Sequence, residues 1–527
     1  MKQTTLKATP GVPQSFVDRC GAKVTGFLCG FDRLRFRATL GMLFQPAIMG
    51  QYRSRQNVLL KGCKDYALGI AGRIKAAARG ATEAAGRPEQ YLPSARASKE
   101  ELARAIAQRD RIKDGWIVLF STVEPCLSYT VRGNRAAKKL ELVLETRKCT
   151  HLYHYYMHPD FGLMHVRVQT WFPFTVDLGL NGREWLARQM DRAGLRYEQR
   201  DNCFVRVSDP GRAQALLDEQ LRTDWPKVLG ERLTQAHPLH PELSAPLGRD
   251  YYWSASQTGF ATDVVFRDAA SLAAVYPKFL HHGIRTFGSA DILRFPGRVQ
   301  PGNFRGEVTS TLQRRPEGVR LQHMVNGNSL KMHDKQGRVL RVETTIVNPD
   351  DFRVFRPSET DPEHRNKWHA MRRGVADLWR RAEVSRAANA RDLTALASTT
   401  GATALAEEAQ PLCRPRTVGG RRHRALHPWS PDDAALLEAV SAGEFALNGV
   451  RNRDLRTRLL SAAAEPAEAR RQSAAITRRL ALLRAHRLLK KVTGTHRWVL
   501  TDQGRRVITA LLAARQANVD QLTKLAA

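Results

Sequence analysis

The sequence has little cysteine and no long hydrophobic run, and each shortage excludes a class of protein. Its 7 cysteines among 527 residues include no C-x-x-C pair, so neither a disulfide scaffold nor a cysteine zinc site is predicted. The apolar run Trp116–Phe120 is far shorter than the roughly 20 residues of a membrane-spanning helix. The first residues, Met1–Pro13, also lack a long apolar stretch. Together these features predict a protein of the reducing cytoplasm.

Several common catalytic motifs are also missing. The sequence contains no GxxxxGK[ST] phosphate loop, no GxGxxG motif after a strand, no HExxH and no GxSxG. Each of these motifs holds a phosphate, a dinucleotide, a zinc ion or a nucleophile in a defined geometry. The usual ATPase, dinucleotide-binding, zinc protease and serine hydrolase interpretations therefore have no support, and no cofactor is predicted.

Acidic residues are scarce relative to basic ones. The chain has 84 Lys and Arg against 51 Asp and Glu, which gives a net charge of +33. This excess favours nucleic acid as a partner, because each phosphate neutralised by Lys or Arg releases condensed counterions. The alternative is an arginine-rich composition without such a partner. A membrane surface is not predicted, since no basic amphipathic helix or lipidation motif is evident.

The pattern of helices, strands and breakers predicts a multidomain α+β protein. Residues 1–202 alternate helical and strand patterns and are predicted to form an α/β domain. Residues 203–361 are predicted to form a helical segment and then an antiparallel β-meander, whose turns include Asn-Gly-Asn. Basic helices and a basic linker are predicted for 362–428, and a separate domain for 429–527.

The C-terminal domain has the clearest local signals. Serine caps, an early proline and acidic first turns are typical of helix starts. The predicted elements are helices over Ser430–Ser441, Asn452–Leu460 and Glu468–His486, a hairpin of Leu488–Val492 and Arg497–Leu500, and a last helix capped by Thr501. Three helices, a hairpin and a helix are the order of a winged helix-turn-helix domain.

This C-terminal pattern resembles MarR-like regulators, and the segment from Leu488 to Gly504 is similar to their wing. The resemblance covers about a fifth of the chain and rests on the order of the elements. It implies double-stranded DNA as the partner, with the third helix in the major groove and the wing on the phosphate backbone. The whole chain is also similar to a group of uncharacterised bacterial proteins, which implies no chemistry.

Polar side chains of the third helix and the wing are the candidate DNA contacts. On the helix they are Arg470, Arg471, Gln472, Ser473, Arg478 and Arg479. On the wing they are Lys490, Lys491, His496 and Arg497. The alternative is a winged helix that contacts another protein and carries solvated arginines.

A second basic surface is predicted near the N-terminus. In the strand pattern Phe31–Leu40 a period of two puts Arg33, Arg35 and Arg37 on one face and apolar side chains on the other. Arginines at about 7 Å spacing can follow a phosphate backbone, which would suit RNA or single-stranded nucleic acid. The alternative is a solvated strand face.

The leading interpretation is a non-enzymatic DNA-binding protein, either a transcriptional regulator or a factor of a mobile element. The alternative is a metal-dependent nuclease, transposase or replication initiator that the winged helix targets to DNA. Asp32 and Glu124 are its candidate catalytic residues, because carboxylates at strand ends bind Mg²⁺ in enzymes of the ribonuclease H type. The sequence gives neither a third carboxylate nor the oligomeric state.

Two further segments carry motifs of interest. Asn328–Lys335 and Arg338–Glu343 resemble a motif of rolling-circle replication initiators, but the chain lacks the His-hydrophobic-His metal pair of those proteins. Arg341 and Glu343 lie on one strand face and are therefore predicted either to form a structural ion pair or to pair with a neighbouring strand. Cys149, His151, His154 and His158, with His165 beyond them, form the densest group of soft-metal ligands. Strand alternation puts Cys149 and His151 on one face and the next two histidines on the other, which favours a structural role.

Overall fold

The computed structural model describes residues 10–94, 97–286, 309–357, 366–397, 405–445 and 449–518. The chain is α+β, as predicted, with 44% helix and 33% strand. Its largest sheet is mixed and has eleven strands, and the other sheets have two or three. Among the described helices, none combines the length and apolar character that crossing a membrane requires.

The helices and strands alternate irregularly along the chain. The described helices are α1 (Gln14–Cys20), α2 (Pro46–Arg55), α3 (Cys63–Ala84), α4 (Lys99–Arg109), α5 (Gly182–Arg192), α6 (Pro210–Glu219), α7 (Trp225–Ala236), α8 (His240–Ser244), α9 (Ala269–Ala273), α10 (Tyr276–Thr286), α11 (Leu378–Ala397), α12 (Leu405–Ala409), α13 (Pro431–Ser441), α14 (Asn452–Leu459), α15 (Pro466–Ala485) and α16 (Asp502–Gln516). The described strands are β1 (Val24–Thr39), β2 (Glu89–Tyr91), β3 (Gly115–Asn134), β4 (Lys139–His158), β5 (Gly162–Gln169), β6 (Val176–Asn181), β7 (Tyr197–Arg200), β8 (Cys203–Val207), β9 (Tyr252–Phe266), β10 (Thr309–Arg315), β11 (Gly318–Val325), β12 (Asn328–Lys335), β13 (Val339–Ile346), β14 (Arg353–Pro357), β15 (Asn366–Ala370), β16 (Arg416–Val418), β17 (Arg421–His423), β18 (Val450–Arg451), β19 (Leu489–Lys491) and β20 (Arg497–Leu500).

The chain forms two compact units, each assembled from separate stretches of sequence. The first, which we call the sheet unit, comprises Leu28–Ala261 and Thr345–Glu383. The second, which we call the C-terminal unit, comprises Met1–Phe27, Thr262–Thr344 and Val384–Ala527. Strands β1 and β9 therefore contribute residues to both units.

In the sheet unit, strands β1, β6, β5, β4 and β3 follow one another in that order and pair antiparallel. Only the short pairing of β2 with β3 is parallel in this set of strands. An α/β domain would have parallel strands joined by helices. The prediction of α/β topology for this region is therefore corrected to a largely antiparallel arrangement with helices packed against it.

Helix starts in the sheet unit are specified locally. The hydroxyl of Ser98 accepts a hydrogen bond from the Glu101 N–H at the start of α4. Asn181 accepts one from the Arg183 N–H at the start of α5, and Asp209 does the same for Arg212 in α6. These side chains satisfy backbone donors that the first turn of a helix leaves unpaired.

In the C-terminal unit, β10, β11 and β12 form an antiparallel meander, as predicted. The predicted ion pairs of the next strand are also present. Arg341 on β13 binds Asp263 with a 2.6 Å Nε–Oδ1 distance, and both side chains are fully buried. Glu343 binds Lys331 of β12 at 2.9 Å. Helices α9 and α10 precede the meander in the sequence.

The predicted basic helices after residue 362 do not begin where the sequence suggested. Residues 362–365 lie outside the described part of the chain, and β15 (Asn366–Ala370) follows as a strand paired with β14. The rings of Phe355 and Trp368 face each other across this pair at 5.3 Å. Cross-strand aromatic pairs stabilise a two-stranded ribbon, so the helix begins only at Leu378.

The C-terminal part of the second unit has helices α13 to α16 around the three-stranded sheet β18-β20-β19. Its core contains Leu436 and Leu437 of α13, Ile476 and Leu483 of α15, and Ile508 of α16. On α15, Ile476, Leu480 and Leu483 follow one another at spacings of four and three residues, which puts them on one inner face of the helix.

The stretch predicted as a basic linker belongs to this core. Leu412 and Leu426 are 1% and 0% exposed and pack in the same apolar cluster as the helices. Between them, β16 and β17 form a short hairpin. The Leu426 N–H donates to the Leu412 carbonyl at 2.9 Å, which closes the loop that carries the hairpin. The sequence did not predict that these two leucines are buried, because an isolated apolar residue forms no periodic pattern.

Candidate nucleic-acid interface

Helix α15 is held against α14 by a polar contact at Asn452. The Asn452 Nδ2 donates to the Ser473 carbonyl at 2.8 Å and to the Thr477 hydroxyl at 2.9 Å. The Ser473 hydroxyl donates back to Asn452 Oδ1 at 3.2 Å. This reciprocal bonding sets the position of α15 relative to the shorter helix before it.

Two of the predicted base contacts are engaged in this part of the fold. The Ser473 hydroxyl is bonded to Asn452. The Gln472 amide donates to the Ser461 carbonyl at 3.1 Å and to Glu468 Oε1 at 3.4 Å. We therefore leave Ser473 and Gln472 out of the candidate interface.

The exposed face of α15 is lined by arginines and small residues. Successive residues of an α-helix are rotated by about 100°, so positions three and four apart share a face. Arg470, Arg478 and Arg484 lie on this face, with Ala474 and Ala481 between them. Alanines leave room for a partner surface to approach the helix backbone. We call these three arginines the helix face.

The two other helix candidates lie away from the centre of the helix face. Arg471 is exposed at its edge. Arg479 is only half-exposed, and it is rotated by about 100° from Arg478 toward the buried side of α15. The sequence analysis named Arg478 and Arg479 together and overlooked Arg484. Positions 470, 474, 478, 481 and 484 are three or four residues apart, so this shared face could have been found from the sequence.

The hairpin after α15 carries the predicted wing residues. Lys490, Lys491 and His496 are exposed and Arg497 is half-exposed. On β19, Lys490 lies opposite Val499 and Lys491 lies opposite Trp498. Since neighbouring residues of a strand point to opposite faces, the two lysines cannot contact the same phosphate. Arg487, exposed between the helix and the hairpin, adds a charge that the sequence analysis missed.

The charge on this segment is strongly one-sided. Residues 466–500 contain nine Lys and Arg but a single acidic residue, Glu468. Within the described ranges, Arg470, Arg478, Arg484 and Lys490 have no carboxylate partner. Such charges are available to phosphates without the cost of breaking an internal ion pair.

Elsewhere in the same unit, arginines are paired and serve the fold. The Arg424 guanidinium binds Asp433 of α13 with a closest distance of 2.6 Å, and the His427 N–H donates to the same carboxylate at 2.8 Å. Burial of Asp433 raises its pKa, but the bonds from Arg424 and His427 outweigh burial and hold the pKa below the ordinary value. The Asp433 carboxylate thus attaches the stretch predicted as a linker to α13, the first helix of the C-terminal domain.

The second predicted surface, on β1, has the expected geometry. Arg33, Arg35 and Arg37 are exposed and alternate with buried Leu34 and Phe36. Their partners on β6 are Asn181, Gly179 and Asp177 in that order. The strand prediction for this segment is thus confirmed, with bounds Val24–Thr39.

Part of this surface is neutralised by its own carboxylates. Asp177 binds Arg37 at 2.6 Å and Arg167 at 2.7 Å. Glu124 binds Arg167 at 3.3 Å and Lys99 at 3.1 Å. We call Arg37, Asp177, Arg167, Glu124 and Lys99 the sheet network.

Tyr153 completes the environment of Glu124 by donating its hydroxyl to the carboxylate at 2.8 Å. Burial of Glu124 raises its pKa, but the hydrogen bonds from Tyr153 and Lys99 and the charge of Arg167 outweigh burial and lower it overall. The carboxylate is therefore ionised and enclosed by cations at neutral pH.

The structure does not bring the two candidate metal-binding carboxylates together. Asp32 is buried and accepts a hydrogen bond from the Asn202 amide at 3.1 Å. It lies on the apolar face of β1, because it is one residue away from exposed Arg33. Residues that pair across neighbouring strands lie on the same face of a sheet. The pairings therefore put Glu124 on the same face as Arg37, together with Asp177, Arg167 and Tyr153. Asp32 and Glu124 thus lie on opposite faces of the sheet.

On the histidine-rich strand β4, the candidate metal ligands lie on two faces, as strand alternation predicted. His154 is buried against Trp116, with ring centroids 5.3 Å apart, and burial lowers its pKa to about 3. The Nδ1 of His158 accepts the Asp160 N–H at 3.0 Å and caps a turn. His165 on β5 stacks against Tyr155 at 5.3 Å. These three side chains have structural environments.

Cys149 and His151, in contrast, share a face with a residue that sequence reasoning did not connect to them. Cys126 on β3 is joined to Cys149 by a disulfide bond. The sequence predicted no disulfide scaffold, and it gave no indication of this single bond. The strands that carry the two residues become neighbours only through β3–β4 pairing, and a separation of 23 residues gives no sequence motif.

Comparison of the chain with protein-family models, curated proteins and solved structures finds no match in any of the three.

Proposed function

We propose that the protein binds double-stranded DNA through a winged helix-turn-helix domain at its C-terminus. The proposal rests on the arginines of the helix face, which have no carboxylate partner among the described residues and project from the third helix of a domain with winged-helix element order. A helix of this kind fits the major groove, where arginine reads guanine and contacts phosphates. The short hairpin β19–β20 corresponds to the wing.

The element order supports this assignment beyond the number of helices. A short strand, β18, lies between α13 and α14 and pairs with β20, so that Val450 faces Trp498. The wing is thereby attached to the start of the second helix. In this arrangement the helix face and the exposed Lys490 belong to one basic segment, which can contact a groove and its adjacent phosphates together.

The two other predicted roles receive unequal support. A regulator or mobile-element factor located on DNA in the cytoplasm fits this proposal. The enzyme alternative loses its candidate magnesium site, because Asp32 and Glu124 face opposite sides of the sheet. RNA or single-strand binding by β1 is a weaker proposal, since the sheet network already pairs Arg37.

Binding of the intact protein to a labelled duplex, followed by fluorescence anisotropy at low salt, tests the proposal. The triple variant Arg470→Ala, Arg478→Ala, Arg484→Ala should weaken binding by at least about tenfold. The matched control, Arg33→Ala with Arg35→Ala and Arg37→Ala, removes the same charge from β1 and should have a much smaller effect.

Two results would contradict the proposal. One is the absence of measurable duplex affinity at low salt in the folded intact protein. The other is an equal or larger loss of affinity in the β1 triple variant, which would move the interface to the sheet unit. Circular dichroism of each variant establishes that the fold is intact.

A further inference from the structure

Cys126, Cys149 and His151 form a compact group of soft-metal ligands in the sheet unit. One ligand atom from each side chain lies within 4.8 Å of the others. The strand register explains why the three side chains converge. Cys149 on β4 lies opposite Glu124 on β3, and Cys126 follows Glu124 by two residues. His151 follows Cys149 by two residues on β4. A period of two puts all three side chains on one face.

His151 has an unsatisfied ring nitrogen in this group. Its side chain is fully buried, and Nδ1 lies 3.2 Å from the Cys149 carbonyl oxygen. Nε2 is buried without a hydrogen-bond partner in the described part of the chain. Burial, followed by the charge of Arg167, lowers the pKa of His151 to about 4, so the ring is neutral at pH 7. A neutral imidazole with one nitrogen bound to a carbonyl is the form that coordinates metals.

The cysteine pair is spaced for either of two states. In the disulfide the two Cα atoms are 6.8 Å apart. Two thiolates on one zinc ion, with Zn–S bonds of about 2.3 Å, require sulfur atoms about 4 Å apart, and side-chain rotation provides this separation without moving the strands. The same backbone therefore suits the disulfide and a dithiol that shares a metal.

A cavity lies beside Cys149, one member of the group. It has a volume of about 260 Å³ and is lined by Cys149, Ser128, Thr150 and Trp171 among others. A water molecule can reach a metal from this side and provide a fourth ligand. Lys75, Arg147 and Lys148 also line the cavity, and positive side chains favour the thiolate form of nearby cysteines.

We propose that, when the disulfide is reduced, Cys126, Cys149 and His151 bind one Zn²⁺ ion with water as the fourth ligand. A dithiol reductant transfers two electrons, so that the Cys126–Cys149 bond breaks, two thiols form and the reductant becomes a disulfide. Zn²⁺ then displaces the two thiol protons and bonds to both sulfur atoms and to one imidazole nitrogen. In the reverse direction a small disulfide oxidant accepts two electrons by thiol–disulfide exchange, so that its S–S bond breaks to give two thiols, which take up two protons from water, the Cys126–Cys149 bond re-forms and the ion is released. This site is independent of the DNA-binding proposal.

Cobalt titration of the intact, reduced protein tests the proposal, because Co²⁺ reports its ligands by absorption. We expect one Co²⁺ per chain with thiolate-to-cobalt charge-transfer and tetrahedral d–d bands, and displacement of both by Zn²⁺. Cys126→Ser and Cys149→Ser should each abolish the two-thiolate spectrum, and His151→Gln should weaken Co²⁺ binding at least tenfold. Cys413→Ser, at an exposed cysteine of the other unit, is the matched control and should bind like the wild type.

The oxidised wild-type protein gives a second measurement that does not depend on folding of a variant. Addition of Co²⁺ to the oxidised protein should produce no thiolate–cobalt band, and treatment with a dithiol should make the band appear. The proposal is overturned if the reduced wild type shows no thiolate–cobalt band, or if Cys149→Ser leaves the band unchanged. It is also overturned if the oxidised and reduced proteins bind Co²⁺ equally.

Discussion

On strand β1 the exposed Arg37 lies against Asp177, and a chain of ion pairs continues from there to Lys99. On helix α15, Arg478 and Arg484 are also exposed, but no carboxylate in the described residues reaches them. The first surface uses its charges to hold neighbouring strands together, whereas the second has no carboxylate partner among the described residues. Clusters of arginine in a sequence therefore do not by themselves distinguish structural charge from binding charge.

The two regions also differ in what stabilises them, and the largest expected effect concerns the apolar core of the C-terminal domain. Leu426 is fully buried there. Leu426→Ala should lower the free energy of unfolding of this unit by about 2–4 kcal/mol, because it removes apolar contacts and leaves a cavity. Urea unfolding followed by tryptophan fluorescence measures the loss.

Val418→Ala is the matched control for this prediction, since Val418 lies on the same former linker but is 52% exposed. It should change the stability by less than about 0.5 kcal/mol. Equal effects of the two substitutions would mean that the stretch 405–428 is not part of the core in solution.

The sheet network should respond to loss of its central carboxylate. Glu124→Gln removes the carboxylate that binds both Lys99 and Arg167, whose side chains are only 10% and 20% exposed, and leaves Asp177 to bind Arg167. We expect a loss of about 2–3 kcal/mol in the free energy of unfolding at pH 7. Glu145→Gln, which breaks the more exposed pair with Arg132, should cost under about 1 kcal/mol.

The same variant has a defined pH dependence. The folded state lowers the pKa of Glu124, so its ionised form contributes stability above the ordinary glutamate pKa, and this contribution disappears as the pH falls through the folded-state value. The difference in stability between wild type and Glu124→Gln should therefore be full at neutral pH and vanish in acid. A difference that grows in acid would contradict the assignment.

The helix face makes a sharper prediction about DNA affinity. Arg478→Ala should weaken duplex binding by about 1–3 kcal/mol without changing stability, because Arg478 is exposed and binds no carboxylate in the part of the chain that the structure describes. Its neighbour Arg479 is rotated toward the buried side of α15, so Arg479→Ala should have a smaller effect on affinity. Competition binding with unlabelled duplex measures both effects. A larger effect of Arg479→Ala would mean that DNA does not contact α15 through the helix face, which would contradict the proposal.

The smallest expected effect is on the wing. Lys490→Ala should lower the slope of log affinity against log salt by about 0.9, the contribution of one phosphate contact, with little change in sequence preference. Lys491 points to the other face of β19, so the two single variants should differ in slope. Identical slopes would mean that the hairpin does not lie along one phosphate ridge.

The sequence predicted the elements of the C-terminal domain well, because their signals are local. Ser430 and Thr501 cap α13 and α16 as expected, and each accepts the backbone N–H three residues later. The arginine face of β1 was visible for the same reason, since alternation needs only neighbouring residues. Arg484 was missed because the candidate contacts on the helix were taken from residues 470–479, which end before its last turn.

Contacts between distant segments were not predictable in this way. The place of Leu412 and Leu426 in the C-terminal core depends on how a loop returns, and the disulfide of Cys126 depends on the pairing of β3 with β4. The opposite orientation of Asp32 and Glu124 follows from a register that runs through five strands.

The sequence by itself determined the composition, the net charge of +33 and the local order of helices and strands near the C-terminus. These properties follow from periodicity and capping, which act over a few residues. Only the tertiary structure decided which arginines are neutralised and which carboxylates share a face, and it alone brought Cys126 to Cys149 and His151. Strand register sets all three, and register depends on the packing of segments that lie far apart in the chain.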